Sequence, residues 1–137
     1  MPGLSTLPQS GVWKLAERPD ADTALLDIDC QPTVDKHNLL AALAKTLRLP
    51  ADFGMNWDAA WDCLNDPHWM VQRAFTLHIP EAMPVDDQAL GIFLDMFGEA
   101  CDAWRDQQQN LLLLVVTPRD DLPCLQALAE PPDYPAA

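Results

Sequence analysis

Leu111-Leu112-Leu113-Leu114-Val115-Val116 is six consecutive apolar residues with no polar residue among them. A strand with one face in water alternates apolar and polar side chains. A strand buried on both faces does not, and that pattern belongs to parallel sheets. The segment before this run reads as a long helix from Asp86 to about Gln107. Leu90, Phe93, Leu94, Phe97, Cys101 and Trp104 recur there at helical spacing, and Asp95, Glu99, Asp102 and Asp106 form an acidic stripe on the other side. Further back, Ala74–Ile79 alternates Phe75, Leu77 and Ile79 against Ala74, Thr76 and His78, which predicts a strand at least half buried. Pro80 and Pro84 frame the loop between the two.

Ala24–Asp29 (ALLDID) predicts a first strand. Lys36, Leu39, Leu40, Leu43 and Leu47 then trace a helical stripe. Thr33 suits its N-cap and Asp35 its first turn, Lys45 and Arg48 favour its C-terminal end, and Pro50 closes it. The order is strand, helix, loop, helix, strand, helix, strand, with crossovers long enough to join parallel neighbours. Right-handed crossovers give an α/β fold, a small three-stranded parallel sheet packed with helices.

At 137 residues and 49% hydrophobic, the chain can bury one real core. Residues 1–22 carry Pro2, Gly3, Pro8, Gly11 and Pro19 and read as an irregular arm, with a short extended piece at Val12–Leu15. Residues 23–117 form the domain, and residues 118–137 a Pro-rich tail with one helical turn near Cys124–Leu128.

A net charge of −13 argues against direct binding of nucleic acid or an anionic membrane and favours a basic protein partner, steered electrostatically. Cys30, Cys63, Cys101 and Cys124 are widely spaced, without a CxxC pair. No leader pattern opens the chain, and no apolar run approaches the ~18 residues of a membrane span. A cytoplasmic protein with reduced thiols is the expectation.

Neither a metal nor a cofactor is expected. Asp27-x-Asp29, Asp86-Asp87 and Asp120-Asp121 lack the ligand spacing of a calcium loop and read as turn and strand-end acids. His37, His68 and His78 lack the spacing of a zinc motif.

Leu49–Trp69, LPADFGMNWDAAWDCLNDPHW, is the most distinctive stretch. It holds three of the five Trp residues and Asp52, Asp58, Asp62 and Asp66, with no Lys or Arg. Asn56 suits the N-cap of a helix running to about Asn65. Trp57, Ala60, Trp61 and Leu64 fall on one side of it, with Trp61 nearest the border. Asp58, Asp62 and Asp66 form a line on another side, like charges four apart that destabilise a helix by roughly 0.2–0.5 kcal/mol per pair. Such a line is either a solvated face or a surface for a cationic partner. Trp beside unpaired carboxylates favours the partner.

The pattern LP-x-x-[FY]-G-x-N-x-D-A-x-W-D-C-L, here Leu49-Pro50 through Cys63-Leu64, closely resembles the barstar family of intracellular ribonuclease inhibitors. The resemblance covers roughly Ala24 to Val116 and implies the same small α/β fold. It also implies a non-catalytic, immunity-type inhibitor whose carboxylates occupy the place of substrate phosphates in the active site of a basic ribonuclease or nuclease toxin domain. Asp58 and Asp62 match the two Asp of the family's binding helix, with Gly54, Asn56 and Trp61 around them. Asp62 matches the central carboxylate, and Phe97-x-Glu99-Ala100 resembles the family's F-x-E-A, making Glu99 a third acid.

Some positions depart. Asp52 stands where the family has the first of two Tyr, Phe53 matches the second, and Trp57 replaces a Leu. Asn65-Asp66-Pro67 replaces Thr-Gly-Trp, leaving Trp69 to stand in for that Trp two places later. The expected partner surface is therefore Asp52, Phe53, Gly54, Asn56, Trp57, Asp58, Trp61, Asp62, Trp69 and Glu99.

Two other functions compete with this one. Paired carboxylates can do acid–base chemistry, but Asp58 and Asp62 fall one turn apart on an exposed helix with no cofactor motif nearby. Cys63 reads as a small buried hydrophobe. A protein-binding module of the same fold with a non-nuclease partner is the alternative.

Overall fold

In the computed structural model, residues 10–19 and 25–131 are described. The expectations for residues 1–9, for Ala24 at the head of the first predicted strand and for the end of the tail lie outside them. The elements are β1 (Gly11–Leu15), β2 (Leu26–Ile28), α1 (Lys36–Leu47), α2 (Trp57–Leu64), β3 (Ala74–His78), α3 (Asp87–Asp106), β4 (Leu112–Val116) and α4 (Pro123–Gln126). All the strands are parallel, in the order β1-β4-β3-β2.

The apolar run is the inner strand β4, buried at every position. Leu111, Leu113 and Val115 enter a layer with Phe75, Leu77, Phe93 and Phe97, and the buried residues of all four helices join it. The Phe75–Phe97 ring contact, with centroids 5.7 Å apart, fastens α3 to β3, and Phe93 packs on Phe97 within α3 at the same distance. Leu112, Leu114 and Val116 point the other way, into a smaller layer with Trp13, Leu15 and Ala74.

Among the described residues the sheet has four strands, against the three of the sequence expectation. The extra one is the extended piece in the N-terminal arm, paired with β4 in the register Gly11↔Leu112 to Leu15↔Val116. Buried Ser10 secures its start. The Ser10 hydroxyl donates to the Leu111 carbonyl (2.8 Å) and accepts from the Leu111 N–H (3.1 Å). On the outer edge of β1, the Lys14 N–H donates to the Ala129 carbonyl (2.9 Å), so chain following α4 shields what would be an open edge.

One cap differs from expectation. Asp35, not Thr33, caps α1, its carboxylate accepting from the Asn38 N–H at 2.8 Å. The cause is Val34, which bridges Val85 in parallel fashion. The Val34 N–H donates to the Pro84 carbonyl (2.9 Å), and the Asp86 N–H donates to the Val34 carbonyl (2.7 Å). That pairing keeps Val34 extended, so the helix begins after Asp35. It also sets the N-terminal ends of α1 and α3 side by side. Arg48, in the left-handed region at φ 58°, turns the chain out of α1 toward the stretch that precedes α2.

Candidate functional site

The eight-residue helix α2 is too short to be stable alone, so its neighbours must hold it. At its N-terminus Asn56 does two jobs: Oδ1 accepts from the Ala59 N–H (2.8 Å) and Nδ2 donates to the Gly54 carbonyl (3.2 Å). A Cβ on Gly54 would lie 2.9 Å from Asn56 Nδ2, so the absence of a side chain there permits the cap. Met55 takes φ 51°, which makes the turn into the helix sharp.

At the other end three of the last four carbonyls find donors. The Asn65 amide reaches the Trp61 carbonyl (2.9 Å), the Asp66 N–H the Cys63 carbonyl (3.2 Å), and the buried Trp104 indole N–H of α3 the Leu64 carbonyl (2.7 Å). Ala60 and Leu64 are fully buried, while Trp57 and Cys63 pack half-buried against the same core. From α1, Lys36 Nζ sits 6.0 Å from the centre of the Trp57 ring. The helix is pinned along one side and at both ends.

The free side is acidic. Asp58 and Asp62 are exposed, and neither has an ion pair among the described residues, where the pairs are Arg18–Asp27, Arg105–Asp102 and Arg119–Asp121. Burial pushes the Cys63 thiol up, and the carboxylates of Asp66 and Asp62 add to the shift. A raised pKa makes that thiol a poor nucleophile.

Asp66 does not continue the acidic line. The helix ends at Leu64, and the Asp66 carboxylate turns to accept from the His68 N–H (2.9 Å).

Between α2 and α3 lies a groove of about 290 Å³. Trp57, Asp58 and Trp61 form its α2 wall, and Ile92, Asp95, Met96 and Glu99 its α3 wall. Four of the expected residues, Trp57, Asp58, Trp61 and Glu99, are thus brought together. Asp62 lies one turn further along α2, outside the lining. Asp52 and Gly54 are exposed in the chain leading to Asn56, and Phe53 is half-buried against the core. Trp69 is half-buried beyond α2, edge-on to His68 with ring centroids 4.6 Å apart, and does not line the groove.

Ile92, Asp95 and Met96 are additions to the expected set. With Glu99 they fall at i, i+3, i+4 and i+7, a helical stripe that the sequence does contain. Nothing in the sequence says which side of α3 meets α2.

A larger cavity of about 540 Å³ lies at the C-terminal ends of β2 and β3, lined in part by Arg18, Asp27, Asp29, Thr76 and His78. Asp27 is already engaged there, accepting from the Thr76 hydroxyl and from Arg18 Nε (3.2 Å). Among the described residues, the carboxylates of the α2–α3 groove have no ion pair.

Residues 23–116, more than half of the chain and spanning β2 to β4, match the family model described as barstar (barnase inhibitor). The chain belongs to the barstar family. No curated protein matches it. The barstar-type region takes in α2, the groove and the whole acidic face of α3, while β1 and α4 lie outside the matched span. Among the described residues, no helix is long and apolar enough to cross a membrane.

Proposed function

We propose that this barstar-family chain is a cytoplasmic, non-catalytic inhibitor of a basic ribonuclease or nuclease toxin domain. It blocks the active site with α2 and the loop before it. The observation that carries this reading is the pairing of two properties in α2: it is held at both ends, and its outward carboxylates have no ion pair among the described residues. A rigid helix presents Asp58 and Asp62 without further ordering cost, so the cations of a nuclease active site meet preorganised counter-charges where substrate phosphates would otherwise bind. Asp52, Phe53, Gly54, Asn56, Trp57, Trp61, Trp69 and Glu99 complete the proposed surface. Catalysis, metal and cofactor have no part in this mechanism, and the partner is protein rather than nucleic acid or membrane.

The departures around α2 favour a partner whose rim differs from that of barnase. Asp52 adds a charge where the family has an aromatic ring. Trp69, which was expected to stand in for the missing Trp, is turned toward His68.

The test is inhibition of RNA cleavage by purified chain, with barnase and a panel of basic bacterial ribonucleases and nuclease toxin domains as targets. Stoichiometric inhibition of at least one is expected. Its association rate should fall steeply as salt rises while dissociation changes little, because a net charge of −13 steers the encounter. Inhibition of none would overturn the function, and an association rate insensitive to salt would overturn the steering.

A further inference from the structure

The acidic stripe of α3 is uneven along its length. Toward the C-terminal end, Asp102 is paired with Arg105 at 2.9 Å. Asp95 and Glu99 have no ion pair among the described residues, and they are the two that border the groove. One turn N-terminal to Asp95, Ile92 precedes the stripe and is 40% exposed.

Single exposed apolar residues are ordinary and carry no message. The described residues include three large exposed ones, Trp61, Val71 and Ile92, and two of these, Trp61 and Ile92, line opposite walls of the same groove. Met96, almost wholly buried, joins them in the lining. The groove is therefore apolar within and rimmed by carboxylates, with Asp58 on one wall and Asp95 and Glu99 on the other.

That combination selects an occupant. A second copy of this chain would set carboxylates against carboxylates, and nucleic acid would bring more negative charge. A lone cation would satisfy the rim but leave Trp61 and Ile92 in water. A side chain that is apolar in the middle of a basic segment satisfies both, because apolar burial and charge pairing then occur in one docking event.

We propose that Ile92 and Asp95 make this groove a selective contact for an aliphatic side chain flanked on both sides by lysine or arginine, presented by the bound protein. The proposal rests on the reading that the partner docks on the α2 face. It assigns that partner a recognition element separate from whatever engages Asp62.

The probe is acetyl-Arg-Leu-Arg-amide, compared with acetyl-Arg-Gly-Arg-amide and acetyl-Glu-Leu-Glu-amide, titrated into the full chain and followed by isoleucine methyl NMR. The chain has Ile28, Ile79 and Ile92, of which the first two are buried, so one methyl pair reports the groove. The Arg-Leu-Arg peptide should shift Ile92 saturably and leave Ile28 and Ile79 in place. The glycine peptide should bind about fivefold more weakly, for want of one buried aliphatic side chain, and the acidic peptide not at all.

Ile92→Ser should remove the leucine preference, and Asp95→Asn should weaken Arg-Leu-Arg binding about threefold. Both positions are exposed, and unchanged melting shows that the fold is intact. Equal binding of the leucine and glycine peptides, or shifts indifferent to both substitutions, would overturn the proposal. A leucine preference without inhibition of any nuclease would sink the inhibitor reading and leave the groove standing. Inhibition without a leucine preference would do the reverse.

Discussion

Replacing Asp62 by Ala should make the free protein more stable and the inhibitor worse. Asp62 lies in the last turn of α2, where no basic residue offsets it. A carboxylate at a helix C-terminus is unfavourable by about 0.3–1 kcal/mol. The like charge of Asp58 one turn back adds roughly 0.2–0.5 kcal/mol, and Ala is the better helix former by up to about 0.7 kcal/mol. Asp66 contributes nothing to this sum, because it lies past the helix end with its carboxylate bonded to the His68 N–H. These terms are not strictly additive, and a gain of roughly 1 kcal/mol is expected, raising Tm by about 4 °C for a chain of this size.

Binding should move the other way. Truncating a carboxylate desolvated against interface cations costs about 2–5 kcal/mol, a loss of roughly 30- to 5,000-fold in affinity. That range includes charge pairs of the barnase–barstar kind, so it is inherited from the family. Asp106→Ala removes the same charge from the last position of α3 and should alter mainly the association rate. Thermal melts by circular dichroism and inhibition constants against the susceptible nuclease, for both variants, separate the cases. Equal, small losses of affinity would mean that only bulk charge matters. A destabilised Asp62→Ala would mean that the carboxylate has a structural partner.

Val115 is fully buried within the sheet, so Val115→Asp would place an unpaired charge in the core and should abolish the cooperative thermal transition. A soluble, cooperatively melting variant would contradict the central placement of β4. Trp104→Phe keeps an aromatic ring but leaves the buried Leu64 carbonyl without its donor. A loss of about 1–3 kcal/mol is expected in urea unfolding, with faster amide exchange at the C-terminal end of α2. Burial, the largest cause in each, pushes the Cys30 thiol up to about 11 and that of Cys101 to about 12, from an ordinary 9.0. The unfolded chain therefore loses these protons first, and stability is fully present below pH 9 and falls as pH rises toward the folded values. Each thiol adds a decline of up to about 1.4 kcal/mol per pH unit, and Cys101→Ala should flatten the alkaline limb measured by urea unfolding at pH 7, 9 and 10.5.

The sequence exposed whatever depends on local pattern. The apolar run at β4, the stripe of α3, the Asn56 cap and the end of α2 at Asn65 all follow from side-chain period or cap chemistry. What it hid depends on distant pairing. Val12–Leu15 is too short to declare itself a strand, and its partner lies across nearly the whole chain at Leu113–Val116. Thr33 and Asp35 are both good caps, and the choice between them is made by the bridge from Val34 to Val85. The acidic helix of the site was legible from its own residues. Ile92 and Asp95 were not recognisable as its neighbours, because the orientation of α3 against α2 is set by packing in the core.

The strand order has a consequence for synthesis. Among the strands of the described residues, β4, which lies between β1 and β3, is the last to leave the ribosome, and β1 is the first. Until Leu112 emerges, Gly11–Leu15 has no neighbour and β3 shows a bare apolar edge. The nascent chain can at most pair β2 with β3 and must wait for its final strand before the sheet closes. Prematurely ended chains, rather than the finished protein, are then the species that should aggregate.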